Sequence, residues 1–221
     1  RGEGPAVRLV GVAKKHPLAA IETAVAAGLT DVGESYAQEL HAKQEARPDA
    51  PWRWHYIGAL QRNKAKLVVG CALVHSVDRP ALLEALEHRA DALGLTQEVL
   101  VQVNVAGEPG KAGVAPDDLA DLLDRFADLR CVRCRGLMLI PPQGSPEATR
   151  PHFAALRRLA QQHSGVTRSN VELVELSMGM SDDFEVAIEE GATLVRVGTA
   201  IFGPRPTAGH EVLDGGTTLA T

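Results

Sequence analysis

The chain has 221 residues, a net charge of -5, 45% hydrophobic residues and only 4% aromatic ones. That length and apolar share suit one α/β domain whose core is packed by Ala, Leu and Val, and argue against an aromatic-rich β-sandwich. Dispersed Lys and Arg argue against a nucleic-acid surface, and no apolar run reaches the roughly 18–20 residues of a membrane span.

The N-terminal RGEGPAVRLVGVA carries too short an apolar stretch for a signal peptide, so a cytoplasmic protein is expected. Short apolar runs then alternate with helical patterns. Strands are predicted at residues 8–13, 31–33, 54–58, 73–76, 98–105, 132–138, 172–176 and 193–197. Helices are predicted between them at 18–27, 36–46, 63–69, 79–93, 116–127, 146–162 and 182–190. In the fourth helix Leu82, Leu83, Leu86 and Ala90 form one stripe, the 3.6-residue period of a helix lying on a sheet. Runs such as LVGVA and VLVQVNV are apolar on both strand faces, as buried parallel strands require. Eight strands alternating with helices predict a closed (β/α)8 barrel, with an open doubly wound sheet as the alternative.

Cys131 and Cys134 form a C-x-x-C, but no second pair accompanies them. A spacing of three on a strand sends the two side chains to opposite faces, so ordinary thiols are expected rather than a metal or redox site. The segment from Gly107 to Gly113 is rich in glycine. It lacks the order of a phosphate loop, because Ala112 follows Lys111, and it reads as a loop near the barrel mouth.

In such barrels chemistry sits at the C-terminal ends of the strands. Lys14 closes the first apolar run. A lysine held there loses hydration, which favours the neutral amine able to form a Schiff base; a solvated strand-end lysine is the plain alternative. Gly198 and Thr199 follow the last strand, where barrels commonly build an anion site from backbone N–H groups. The hydroxyls of Thr199 and Ser177 are expected donors there. Arg196 interrupts an apolar strand. It reads either as a partner of Glu172 or Glu175, or as a contact to a ligand's ring nitrogen. His55 reads as a packed core histidine or a site residue.

Together these segments resemble the pyridoxal phosphate homeostasis protein family, related in fold to the N-terminal barrel of alanine racemase. The resemblance rests on LVGVAKKHP, DVGESYAQE, WHYIGALQRNK, HSVDR, VLVQVNVAGEPGKAGV, RGLMLIP and LSMGMSDDFEVAIEEGATLVRVGTAIFG. It implies a TIM-type, alanine racemase-like PLP-binding barrel over residues 1–203, followed by a flexible tail over 204–221. It also implies that Lys14 forms the Schiff base with pyridoxal 5′-phosphate (PLP), that Arg196 faces the pyridine nitrogen, and that Ser177, Gly198 and Thr199 hold the phosphate. Met178, His55 and Asn63 match pocket-lining positions. Two departures stand out. Ser35 replaces the family's usual asparagine, which puts any amide contact at that position in doubt. The family's helix before its first strand is also expected to be missing here.

An arginine at the ring nitrogen can only donate, which makes the ring a weaker electron sink. The resemblance therefore implies a monomeric PLP carrier serving vitamin B6 homeostasis, without turnover, with PLP-requiring apo-enzymes as recipients. A PLP-dependent racemase or lyase, or a Schiff-base aldolase without PLP, are the alternatives.

Overall fold

The structure is a computed structural model that describes residues 6–204. Its eight strands are β1 (Arg8–Val12), β2 (Asp31–Glu34), β3 (Arg53–Tyr56), β4 (Leu73–Val77), β5 (Gln97–Gln102), β6 (Val132–Met138), β7 (Val171–Ser177) and β8 (Leu194–Val197). They pair in chain order as a closed, all-parallel barrel. The helices are α1 (Leu18–Ala26), α2 (Ala37–Ala46), α3 (Pro80–Leu93), α4 (Leu119–Asp124), α5 (Pro146–Ser164), α6 (Phe184–Glu189) and the short α7 (Thr199–Phe202). The expected (β/α)8 barrel is thus the fold, and the open sheet is not.

Closure comes from β1 and β8, with Val10 beside Arg196 and Gly11 beside Val197. Most apolar side chains join one large cluster that includes Ile21, Leu40, Leu82, Leu86, Phe126 and Phe153. A second, small cluster of Val10, Leu73, Leu100, Met138 and Leu194, each at most 3% exposed, forms the apolar part of the lumen. Sealed by apolar side chains at mid-height, the barrel opens functionally only at its ends. Helix α3 shows the local logic. Pro80 occupies its first turn, the predicted stripe of Leu82, Leu83, Leu86 and Ala90 is buried, and Gly94 ends it at φ 63°, the left-handed cap that glycine adopts without a Cβ penalty.

Several boundaries differ from expectation. The third predicted helix is a 3-10 turn, Arg62–Leu67, too short and too rich in cations to gain from propagation. The fifth divides into a 3-10 turn at Pro116–Asp118, α4, and another 3-10 turn at Arg125–Asp128. The fifth strand leaves the barrel after Gln102, where Val103 and Val114 form an isolated bridge and Asn104 N–H donates to the Val114 carbonyl. The loop from Gly107 to Gly113 thereby folds back along the strand end. Cys134 is buried while Cys131 is half-exposed, the opposed faces expected from their spacing, and no metal-binding group occurs among the described residues. The proposed tail, from residue 205 onward, and the question of a preceding helix, in residues 1–5, lie outside the described residues.

Gly58 fixes how close the β3 end comes to the β2 end. A Cβ there would lie 2.0 Å from the Ser35 carbonyl oxygen, so backbone rather than a movable side chain would have to shift. Gly58→Ala should therefore lower stability by roughly 2–4 kcal/mol, read as a reduced denaturation midpoint; an unchanged midpoint would contradict the close approach.

Candidate functional site

The mouth of the barrel is assembled from strand ends. Alternation along β1 puts Val10 in the lumen, and Lys14 follows two residues after the end of that strand. Lys14 is half-buried in a turn whose next residue, Lys15, has φ 66°. That conformation is held because Lys15 N–H donates to Glu39 Oε1 at 2.8 Å. Opposite, Gly198 is packed so that a Cβ would meet the Val12 carbonyl oxygen at 3.3 Å and the Val12 Cβ at 3.4 Å. The turn after β8 therefore lies against the end of β1, two residues before Lys14. Thr199 is exposed and opens α7, whose first N–H groups have no acceptor within the helix.

Behind the Lys14 turn is a buried ionic cluster. Lys43 Nζ donates to Glu34 Oε1 at 2.5 Å, to Glu39 Oε1 at 2.9 Å and to the Ala13 carbonyl at 3.3 Å. Burial pushes the Glu34 carboxyl up to about 7 against the pull of Lys43, and Glu39 adds to the rise. Glu34 Oε2 is buried with no hydrogen-bond partner, an acceptor left unused at the end of β2. These residues were not singled out from the sequence; the Glu39–Lys43 spacing of four on α2 was the available signal.

Arg196 lies 4% exposed inside the barrel. Its Nη1 donates to Ser177 Oγ at 2.6 Å and its Nη2 to the Leu139 carbonyl at 2.9 Å, which leaves three of its five N–H groups. Burial lowers the guanidinium to about 10, opposed by Asp183, so it stays charged at neutral pH. The expected partners lie elsewhere, since Glu172 pairs with Arg135 and Glu175 with Arg8. The structural ion pair considered for Arg196 is therefore not formed.

Four expected site residues are placed differently. The Ser177 hydroxyl is fully buried and bonded to His75 and Arg196. Met178 follows it and points the other way, fully buried in the large outer cluster, because successive strand residues face opposite sides. His55 points into the lumen and is bonded to Asp31 and His75. It borders a cavity of about 240 Å³ lined by Arg8, Arg53 and Glu175, at the N-terminal ends of the strands. Asn63 is exposed in an outer groove shared with Lys66, Glu84 and His88, on the side of the 3-10 turn that faces α3. Ser35 does border the mouth, in a cleft of about 460 Å³ with Tyr56, Gln61, Lys64 and Arg79. Ser181 lies in the turn after β7. Its Oγ accepts from Gly198 N–H at 3.4 Å, which puts a half-buried hydroxyl beside the Gly198–Thr199 turn.

The raised Glu34 carboxyl has a consequence for stability. Its folded value, about 7, exceeds an unfolded value of about 4.5, so its favourable contribution is complete below the unfolded value and is lost as pH rises through 7. Relative to the parent, Glu34→Gln should gain stability as pH rises from 5 to about 7 and then level off, in urea titrations; a gap independent of pH would refute the burial argument.

Residues 3–206 match the family model described as "Alanine racemase, N-terminal domain". The chain is 45% identical over 207 residues to the pyridoxal phosphate homeostasis protein of Aquifex aeolicus, covering 93% of this chain and 90% of that one. It is 45% identical, again over 207 residues, to the protein of the same name from Pseudomonas aeruginosa, covering 92% and 87%. Among solved structures it is similar to Synechococcus elongatus PipY with PLP bound, at a TM-score of 0.83 and 42% identity, covering 90% and 93% of the two chains. Fold, strand-end residues and full-length similarity agree, and the chain belongs to the pyridoxal phosphate homeostasis protein family, built on the alanine racemase N-terminal domain.

Proposed function

We propose that this protein binds PLP through Lys14 and serves PLP homeostasis as a carrier, without turnover. The observation that carries the reading is the meeting of β1 and β8 ends. The Lys14 turn, the Gly198 backbone and the Arg196 guanidinium converge on one mouth. The residues suit the group. Gly198 has no side chain to hold an anion away, the Thr199 and Ser181 hydroxyls flank it, and Arg196 retains unused N–H donors. Ser35 presents a short hydroxyl where an amide would reach further.

Lys14 would contribute its amine to the aldehyde carbon, forming one C=N bond and releasing one water, and hydrolysis of that bond would return the free amine. PLP supplies an aldehyde and an electron-accepting ring when bound. Arg196, charged and able only to donate, would leave the ring nitrogen unprotonated and the ring a weak electron sink. Holding the cofactor is favoured over carbanion chemistry on that ground. In this reading the protein works in the cytoplasm as a monomer and hands PLP to PLP-requiring apo-enzymes.

Borohydride reduction of PLP-treated protein should add the mass of one reduced PLP to the Lys14 peptide, and Lys14→Ala should lose it; modification of Lys15 instead would overturn the assignment. Thr199→Trp should release PLP on dialysis, whereas full retention would contradict the phosphate role. Steady release of racemised alanine by the parent protein, abolished in Lys14→Ala, would replace the carrier reading with a racemase.

A further inference from the structure

A continuous chain of hydrogen bonds crosses the barrel lumen from the N-terminal strand ends to Arg196. Arg53 Nη2 and the Thr30 hydroxyl donate to Asp31 Oδ2, at 2.8 and 2.7 Å. Asp31 Oδ1 meets His55 Nε2 at 2.8 Å, His55 Nδ1 meets His75 Nε2 at 2.9 Å, and His75 Nδ1 meets Ser177 Oγ at 2.8 Å. Arg196 Nη1 closes the chain on the same Ser177 oxygen. Asp31, His55, His75 and Ser177 are each at most 1% exposed, so water cannot complete a mismatched link.

The end groups fix the order of protons. Burial works against Asp31, but hydrogen bonds from His55, Arg53 and Thr30 outweigh it and hold the carboxyl well below the usual range. An ionised carboxylate only accepts, so His55 must donate from Nε2. With a single ring hydrogen on His55, its Nδ1 accepts and His75 donates from its own Nε2. Burial, with the nearby Arg196 and Arg8 charges, lowers His75 well below its ordinary value and keeps it neutral. Its Nδ1 accepts the Ser177 O–H. The Ser177 hydrogen thus points down the lumen, and its lone pairs face Arg196.

We propose that Asp31, His55, His75 and Ser177 form a one-way relay of positioning residues that orients Arg196, so that the far end of the barrel governs how the guanidinium meets PLP. This rests on the reading that Arg196 faces the cofactor ring. The relay explains why the hydroxyl of Ser177 is withdrawn from the mouth, and why two histidines are buried in a lumen otherwise filled by Val10, Leu73, Leu100, Met138 and Leu194. Its polarity depends on Asp31 alone. In Asp31→Asn, the donors Arg53 and Thr30 keep the amide oxygen on their side and turn the NH2 toward His55. Every link then reverses, and Ser177 accepts from both His75 and Arg196 while its own hydrogen loses its acceptor.

Nitrogen NMR of the cofactor-free parent should show both histidine rings carrying hydrogen on Nε2 and none on Nδ1; hydrogen on Nδ1 at either position would overturn the relay, and this measurement needs no variant to fold. Asp31→Asn should switch both rings to Nδ1–H and displace the visible absorbance maximum of the PLP-loaded protein. Arg53→Gln removes a bond to the same carboxylate without changing the proton order, and should move neither. Equal displacement by Arg53→Gln would mean a merely structural role and overturn the proposal. An unmoved maximum in Asp31→Asn, with Arg196→Lys moving it, would overturn the relay and leave the Arg196 reading intact. An unmoved maximum in Arg196→Lys as well would sink that reading and the relay with it.

Discussion

The closing of β1 onto β8 is the constraint on which this molecule depends. The register that sets Val10 beside Arg196 also brings the Lys14 turn to the Gly198 backbone, although 184 positions separate those residues in the chain. Parallel strands have no edge when closed, and both faces of each strand become interior. That is why the strands read as continuous apolar runs, and why a charged residue within one must be accommodated by specific partners.

Arg196 is accommodated without a carboxylate in contact. A serine hydroxyl and a main-chain carbonyl hold it, which leaves its charge available to a ligand instead of neutralising it internally. The ionic pairs instead gather at the other end of the lumen, where Arg8 meets Glu175 and Arg53 meets Asp31. Between these ends the histidines carry polar connectivity through an apolar layer. Satisfied networks of this kind specify one arrangement of a core, because any slip leaves a buried donor or acceptor unpaired.

The sequence made the architecture legible because its signals are local. Strand runs, the α3 stripe and the Gly94 cap all follow from neighbours within a few positions. Lys14, Gly198 and Thr199 were legible for the same reason, as each ends a strand. Side-chain direction was not legible. Ser177 and Met178 are adjacent, yet one faces the lumen and the other the helices, a parity set by barrel register rather than by motif. His55 lies on β3 well below the rim, paired in register with Gly33 and Leu73, so its match to a pocket position said nothing of its height. Asn63 lies exposed on a 3-10 turn, in a groove facing α3, rather than at the strand ends. The Glu34–Lys43 pair was hidden because it depends on how α2 packs back onto the end of β2, and the His75 link because it joins residues of three different strands.

In the proposed reading one mouth grips an aldehyde cofactor at both ends, with Lys14 at the aldehyde and the Gly198–Thr199 turn at the phosphate. A crystal structure of the protein grown with PLP should show continuous density from Lys14 Nζ to the ring, phosphate oxygens within hydrogen-bond distance of the Gly198–Thr199 backbone, and an Arg196 N–H directed at the ring nitrogen. Density joined to another lysine, or a phosphate seated away from that turn, would contradict it.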